Sequence, residues 1–170
     1  MKAASARTST RPTQVAAKSE YERDFYAWIH SQARALRERR FEALDLDKLI
    51  EEVEDLGKAI ARELRSRLKI ILIHLLKWQY QSAKRSSSWR LTLGEQRDQI
   101  EDLLEENPSL RPQLPDAMAK AYASACKSAA REMKLAGHRS HAIFPAQCPW
   151  SLEEILDDDF LPSATRPASR

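Results

Sequence analysis

The sequence predicts an all-α protein, a compact bundle of four to five helices around one long central helix. Only three of the 170 residues are glycine, whereas Ala, Leu, Arg, Glu and Lys, which favour helix, are plentiful. Apolar residues recur at helical spacing in several separate stretches. Ser or Asp stands where most of these stretches begin, as expected of helix caps. A chain of this length can bury one core.

We expect one helical domain over residues 19–162, between disordered tails at 1–18 and 163–170. The formal net charge is +3, and the two ends hold six positive charges without an acid, so residues 19–165 carry −3. The basic pI therefore gives little support for nucleic-acid binding by the folded part. The six charges belong to Lys2, Arg7, Arg11, Lys18, Arg166 and Arg170.

The first predicted helix begins at a capping box, in which Ser19 and Glu22 satisfy each other's free backbone donors. Its apolar stripe is expected to face inward and to end near Arg39. The stripe consists of Phe25, Trp28, Ile29, Ala33 and Leu36.

The second predicted helix is capped by Asp45 and runs through Gly57 to about Gln81, as one long helix or two in line. Between Ile70 and Leu76 apolar residues occur on every side of the helix. This run is too short to cross a membrane, which takes about 20 apolar residues. It is therefore expected to be enclosed at the centre of the bundle.

Three further helices are predicted after this centre. Ser87 or Ser88 is expected to cap the third, which runs to about Glu106. Prolines in "NPSLRPQLP" then interrupt the helical pattern, allowing at most a short turn before a fourth helix at 116–135. A second capping box, Ser151 with Glu154, predicts a short last helix over residues 152–156.

His74 is the one ionisable side chain inside the apolar run. At 100° per residue it lies about 60° from Ile71 and about 40° from Trp78, so the three can line one groove. The favoured interpretation is a core histidine hydrogen-bonded to a carboxylate, a serine or a backbone carbonyl, with Glu51 or Glu52 as candidate carboxylates. The alternative is a metal ligand or general base.

Other catalytic and metal patterns find little support. Ile71 stands where a Glu-x-x-His pair would need its acid, and the pair of His138 and His141 falls in a predicted loop, so no metal and no cofactor are expected. Cys126 is interpreted as an inert buried thiol, and no base is apparent near Cys148. Two cysteines and no apolar signal sequence before residue 21 suggest a reducing, cytoplasmic location.

Charge is strongly segregated along the chain. Residues 62–90 hold eight Lys or Arg and one acid, whereas residues 95–106 hold six acids and one Arg. The favoured interpretation is that adjacent antiparallel helices set these two strips against each other. The alternative is a basic face with interleaved aromatic rings, suited to phosphates and stacked bases. That face would comprise Lys77, Lys84, Arg85 and Arg90 with Trp78, Tyr80 and Trp89.

Over about residues 21–162 the sequence resembles the bacterial family of domains of unknown function numbered twenty-nine. The resemblance rests on "YERDFYAW", "LDLDKLIEEVEDLG", "LRSRLKIILIHLLKWQYQ", "RSSSWRLTLGEQRDQIEDLLEENPSL" and "FPAQCPWSLEEILDDDFLP". It departs at Ser82, where the family typically has proline. It implies a small, soluble, mostly helical protein with no assigned activity. The family pattern falls on Glu51, Glu52, Gly57, His74, Lys77, Trp78, Gln79, Arg85, Ser88, Trp89 and Arg97.

Three hypotheses follow for these residues. The first is a non-enzymatic binding or interaction module, whose groove receives a protein segment or nucleic acid and no membrane. The second is an enzyme or metal-dependent protein that uses Glu51, Glu52 and His74, with Arg97 holding an anion. The third is a stabilising network in which Arg97 pairs with Glu51 or Glu52. The groove of the first hypothesis comprises His74, Lys77, Trp78, Arg85, Ser88 and Trp89.

Overall fold

The computed structural model of the protein describes residues 19–133 and 144–164. In these ranges it has six α-helices and no strand, which confirms the all-α prediction. The predicted tail at 1–18, residues 165–170 of the predicted tail at 163–170, and the pair His138 and His141 lie outside the described residues. The helices are α1 (Glu20–Arg23), α2 (Phe25–Arg37), α3 (Leu46–Tyr80), α4 (Ser87–Glu106), α5 (Leu114–Glu132) and α6 (Leu152–Leu156).

The chain divides into two compact units, an N-terminal unit of Met1–Val53 and a C-terminal unit of Glu54–Arg170. Helix α3 runs through the boundary as one continuous 35-residue helix, which confirms the prediction of a long helix. Gly57 lies inside it, with open space where a Cβ atom would stand, so close packing does not require glycine there. The single domain over residues 19–162 stays a prediction.

The N-terminal unit is a helical hairpin that begins at the predicted capping box of Ser19 and Glu22. The prediction of one continuous first helix was wrong, because Asp24 leaves the helical conformation at φ −153°. Its carboxylate caps a new helix, α2, by accepting a hydrogen bond from the amide of Ala27 at 2.9 Å. Two residues after the end of α2, the backbone of Arg39 lies in the left-handed region at φ 57°. The backbone amide of Arg40 then donates a hydrogen bond to the carbonyl of Ala35.

Two hydrogen bonds show that the chain from α1 through α2 runs antiparallel to the start of α3. The Tyr21 hydroxyl donates to Glu52 at 2.6 Å, and the Asp45 amide donates to the side chain of Gln32 at 2.8 Å. Asp45 also caps α3, as predicted, by accepting from the amide of Lys48 at 3.3 Å.

The inward-facing stripe predicted for the first helix is only partly buried. Trp28 is buried, together with Gln32, but Phe25, Ile29 and Leu36 are exposed. Spacing placed these side chains on one face of a helix but did not determine how much of that face a neighbour covers.

The C-terminal unit holds one apolar core built from α3, α4, α5 and α6. Small residues of α5 face this core, with Ala121, Ala125 and Ala129 at 0 % exposure, which lets helices approach closely. The fully buried side chains of the other helices are Leu64, Leu68, Ile71, Leu72, Leu75, Leu76, Leu93, Ile100 and Ile155.

The apolar run of residues 70–76 lies in this core. Five of its seven residues are buried, and only Ile70 and His74 are partly exposed, which confirms the predicted enclosure. Among the described helices, none is both long enough and apolar enough to cross a membrane.

Later boundaries differ slightly from the predictions. Helix α4 begins with Ser86 at the cap position, not Ser87 or Ser88, and the Ser86 hydroxyl lies 2.9 Å from that of Ser88 and caps no amide. Helix α5 begins at Leu114, two residues early, because Pro115 in the first turn needs no backbone donor. The capping box of Ser151 with Glu154 is confirmed.

Candidate functional site

Aromatic rings and cations meet near the end of α3 and the start of α4. The Arg85 guanidinium lies 5.0 Å from the centre of the Trp78 ring, and its Nε atom donates to the Trp78 carbonyl at 2.9 Å. The Arg90 guanidinium lies 5.8 Å from the same ring. These distances suit cation–π attraction. We call this group, with the neighbours described next and with Lys84, which precedes Arg85 in the chain, the aromatic-basic cluster; it comprises His74, Lys77, Trp78, Lys84, Arg85, Trp89 and Arg90.

Lys77 joins the cluster to α5. Its ammonium lies 4.6 Å from the Trp89 ring centre and 2.8 Å from the Glu132 carboxylate. Its side chain is only 14 % exposed. The charge of Lys77 is therefore already paired, so this residue serves to fix the Trp89 ring in place.

His74 also contacts Trp89, edge to face, with ring centres 6.3 Å apart. Its Nδ1 atom lies 2.9 Å from the Ile70 carbonyl, one of the three kinds of partner predicted for it. Burial lowers the pKa of His74 below its ordinary value, and the nearby charge of Lys77 lowers it further. His74 is therefore suited to a neutral, structural role in the cluster.

We expect His74 to make the protein less stable in mild acid. Its pKa in the folded state is lowered, so the unfolded chain binds the proton more readily, and the free energy of unfolding falls as the pH drops below about 6.5. In His74→Gln this part of the pH dependence should disappear. Urea denaturation from about pH 7.5 to about pH 5 measures it. The control is the exposed His30, changed to Gln: loss of the same slope in that variant would contradict its assignment to His74.

Ser88 lies apart from the contacts of the cluster. It is exposed, its hydroxyl faces that of Ser86, and its carbonyl accepts from the Thr92 hydroxyl at 3.0 Å. These are local bonds of the first turn of α4.

Glu51 and Glu52, which the enzyme hypothesis and the stabilising-network hypothesis use, each have a partner within the N-terminal unit. Glu51 pairs with Lys48 at 2.7 Å in the N-terminal unit. Glu52 accepts from the Tyr21 hydroxyl, which raises the pKa of that tyrosine.

Arg97 is the buried polar anchor of the C-terminal unit, with 4 % of its surface exposed. Its guanidinium donates to the carbonyls of Ile155, Asp158 and Phe160 at 3.0, 2.9 and 3.0 Å. Burial lowers its pKa, yet an arginine remains charged at any pH at which the protein folds. Arg97 therefore ties α4 to α6 and to the chain that follows it.

A family model described as "Domain of unknown function DUF29" matches residues 20–161. The chain belongs to the DUF29 family. The match confirms the resemblance expected over residues 21–162, and it includes the whole aromatic-basic cluster. Comparison with curated proteins and with solved structures gives no match.

The described part of this DUF29 protein has no group of three or more His, Cys, Asp or Glu side chains placed to hold a metal ion. Burial raises the pKa of both Cys126 and Cys148, so both are protonated thiols and poor nucleophiles at neutral pH. For Cys126, which is buried, this agrees with the predicted inert thiol.

The expected pairing between the basic and acidic strips is not found among the ion pairs of residues 19–133. Arg67 pairs with Glu63 of its own helix and donates to the side-chain carbonyl oxygen of Gln99 in α4. The acids of α4 are exposed. An apolar core joins the two helices, so their charges can remain on the solvent side.

The DUF29 fold also forms a second basic surface, which the sequence reasoning missed. Arg62, Arg65 and Lys69 of α3 and Lys120 of α5 line a groove of ≈ 390 Å³. Lys120 pairs with Asp116 at 2.7 Å. The spacing of three and four residues between the α3 cations was a sequence signal of one basic helix face.

Proposed function

We propose that this DUF29 protein is a non-enzymatic module that binds single-stranded nucleic acid at the aromatic-basic cluster. One observation carries the proposal: the guanidinium groups of Arg85 and Arg90 lie against a partly exposed tryptophan, and neither forms an ion pair with a carboxylate in the described ranges. In the described ranges Lys84, Arg85 and Arg90 form no ion pair, and Trp78 is partly exposed between the two arginines.

This combination matches what single strands require. Phosphates need cations that are not already paired with a carboxylate. Bases stack on aromatic rings whatever the nucleotide sequence. Arg85 is half-buried and held by the Trp78 carbonyl, so its position is fixed before a ligand arrives. Lys84 and Arg90 are exposed and can reach phosphates.

Unsatisfied polar atoms near the same place support a binding role. Arg85 Nη2 and Gln79 Oε1 are both buried without a hydrogen-bond partner in the described residues. Such a group costs about 1–3 kcal/mol and calls for a reason to be kept. Arg85 Nη2 is thus a donor that no described residue uses.

The charge distribution of the C-terminal unit supports the same ligand class. Its cations concentrate in residues 58–97, with the second basic groove on α3, whereas acids concentrate in residues 95–106 and 157–159. A stretch rich in cations attracts polyanions and raises their association rate.

Fluorescence anisotropy with a labelled single-stranded oligonucleotide of about 20 nucleotides tests the proposal. In Lys84→Ala/Arg90→Ala, we expect about tenfold weaker binding near 0.1 M salt and a shallower dependence on salt, because two phosphate contacts are lost. Trp78→Leu should weaken binding while preserving the salt dependence, because stacking involves no counterion.

The matched control is Arg111→Ala/Lys127→Ala, which removes two positive charges that also form no ion pair in the described residues, from exposed positions outside the cluster. It should change the affinity by less than about twofold. Equal losses in both double variants would mean non-specific attraction and would overturn the proposal. Unchanged anisotropy with the wild-type protein would also overturn it, and would favour a protein segment as the ligand.

A further inference from the structure

The second basic groove lies between α3 and α5, within the C-terminal unit. Arg62, Arg65 and Lys69 line its α3 side and stand within about 60° of one another around the helix axis. In the described ranges none of these three side chains forms an ion pair. Three cations that no described carboxylate pairs with therefore share one groove.

The acids on the flanking turns of α3 and α5 already have basic partners on their own helices. The pairs are Glu54 with Lys58 at 3.6 Å, Asp55 with Lys58 at 2.9 Å, Glu63 with Arg67, and Asp116 with Lys120 at 2.7 Å. Residues 54–69 and 114–127, the two stretches that contain the groove, together hold seven Lys or Arg and four acids. An excess of three positive charges therefore remains when every charged residue of both stretches is counted.

Small side chains of α5 keep the groove open. Ala121 is fully buried and Ser124 is half-buried, and both line the groove without filling it. The volume of ≈ 390 Å³ lies in the range of about 300–1,000 Å³ that small-molecule sites occupy. Helices α3 and α5 share the apolar core, so the two walls are in place before a ligand arrives. The hydroxyls of Ser66 and Ser124 add donors for ligand oxygens.

The chemistry of the groove fits phosphate groups. A guanidinium binds two phosphate oxygens through parallel N–H bonds, and the groove offers two guanidinium groups, those of Arg62 and Arg65, with the ammonium of Lys69 beside them. One phosphate group carries a charge of about −1.5 to −2 at neutral pH, which balances only part of an excess of three. We propose that the second basic groove binds a small ligand that carries at least two phosphate groups.

This site is separate from the aromatic-basic cluster. Lys69 and Trp78 are nine residues apart in α3, which places them about 180° apart around the helix and about 14 Å apart along it. The described residues that line the groove include no aromatic ring on which a base could stack. The groove therefore recognises phosphate groups, and a nucleic-acid strand bound at the cluster does not occupy it.

Isothermal titration calorimetry of the full chain with sodium pyrophosphate, near 0.1 M salt, tests the proposal. One pyrophosphate should bind per chain, and inorganic phosphate should bind about tenfold more weakly because it carries less charge. Arg62→Ala/Arg65→Ala should weaken pyrophosphate binding at least about tenfold. The control Arg111→Ala/Arg131→Ala removes two exposed arginines that line no part of the groove, and it should change the affinity by less than about twofold.

A variant that keeps every charge tests the groove itself. Ser124→Leu places a larger side chain in the groove and should weaken pyrophosphate binding at least about fivefold, with an unchanged circular dichroism spectrum. Unchanged binding in Ser124→Leu, or equal losses in the two double variants, would mean attraction to the whole charged surface and would overturn the proposal.

Two further results would also overturn it. One is the absence of binding by the wild type up to about 5 mM pyrophosphate, which lies above the Kd of even a weak specific site. The other is displacement of a labelled single-stranded oligonucleotide by pyrophosphate, together with equal weakening of both ligands in Arg62→Ala/Arg65→Ala. The groove would then belong to a nucleic-acid surface instead of forming a site of its own.

Discussion

Replacing Arg97 with alanine should lower the free energy of unfolding by about 3–5 kcal/mol. The substitution removes a buried guanidinium that donates three hydrogen bonds to backbone carbonyls. Two of these carbonyls, of Ile155 and Asp158, belong to the last turn of α6 or the residues just after it. Carbonyls at a helix end have no partner within the helix. Without Arg97 they would stay buried or draw water into the core.

Denaturant unfolding followed by circular dichroism measures this loss of stability. Two further variants test its cause. Arg97→Lys keeps the positive charge, but one ammonium cannot reproduce the planar fork that reaches three carbonyls, so a partial loss is expected. Arg111→Ala removes an exposed arginine and should change stability by less than about 0.5 kcal/mol. A loss below about 1 kcal/mol for Arg97→Ala would contradict the anchoring role.

Hydrogen exchange should show which backbone amides lose protection in Arg97→Ala. Because Arg97 ties α4 to the chain around α6, amides of residues 152–161 should exchange faster in Arg97→Ala than in the wild type. Uniform acceleration over α3 to α5 would instead mean that the whole core has loosened.

The sequence predicted best the features that depend on neighbours three or four residues apart. The capping boxes at Ser19 and Ser151 and the cap at Asp45 each form a bond within one helical turn, so residue type and spacing were sufficient. The buried run of residues 70–76 was predictable for the same reason, since apolar residues on all sides of one helix require enclosure.

Features that depend on distant parts of the chain were not predictable in this way. The three partners of Arg97 lie 58 to 63 residues away and are backbone carbonyls, which every residue has, so no side-chain pattern points to them. Periodicity likewise placed Ile29 and Ile50 on apolar stripes, but it does not tell whether a neighbour covers the stripe.

For the aromatic-basic cluster the sequence supplied the members but not their roles. Lys77 and Arg85 both lie beside tryptophan rings, yet the carboxylate of Glu132, 55 residues away, neutralises only Lys77. That long-range pair separates a structural cation from one that remains available to a ligand. Ser88 shares the region in sequence but turns to its own helix end.

Leu72→Ala should destabilise the protein by about 3–5 kcal/mol, because the leucine is fully buried and its loss leaves a cavity in a core made from four helices. Leu91→Ala is the matched control: the same change in another helix, at a leucine that is 75 % exposed, should cost less than about 0.5 kcal/mol. Thermal or urea unfolding of both variants measures the difference.

The same measurement on Ile73→Ala tests whether the run of residues 70–76 is enclosed on more than one side. Ile73 lies about 100° around the axis from Leu72 and is also buried, so both truncations should be costly, at about 2–5 kcal/mol each. A helix that lay on the surface would lose stability at only one of the two positions. A small effect at Ile73 beside a large one at Leu72 would therefore mean that α3 is covered on one side only, and that the apolar run has some other cause.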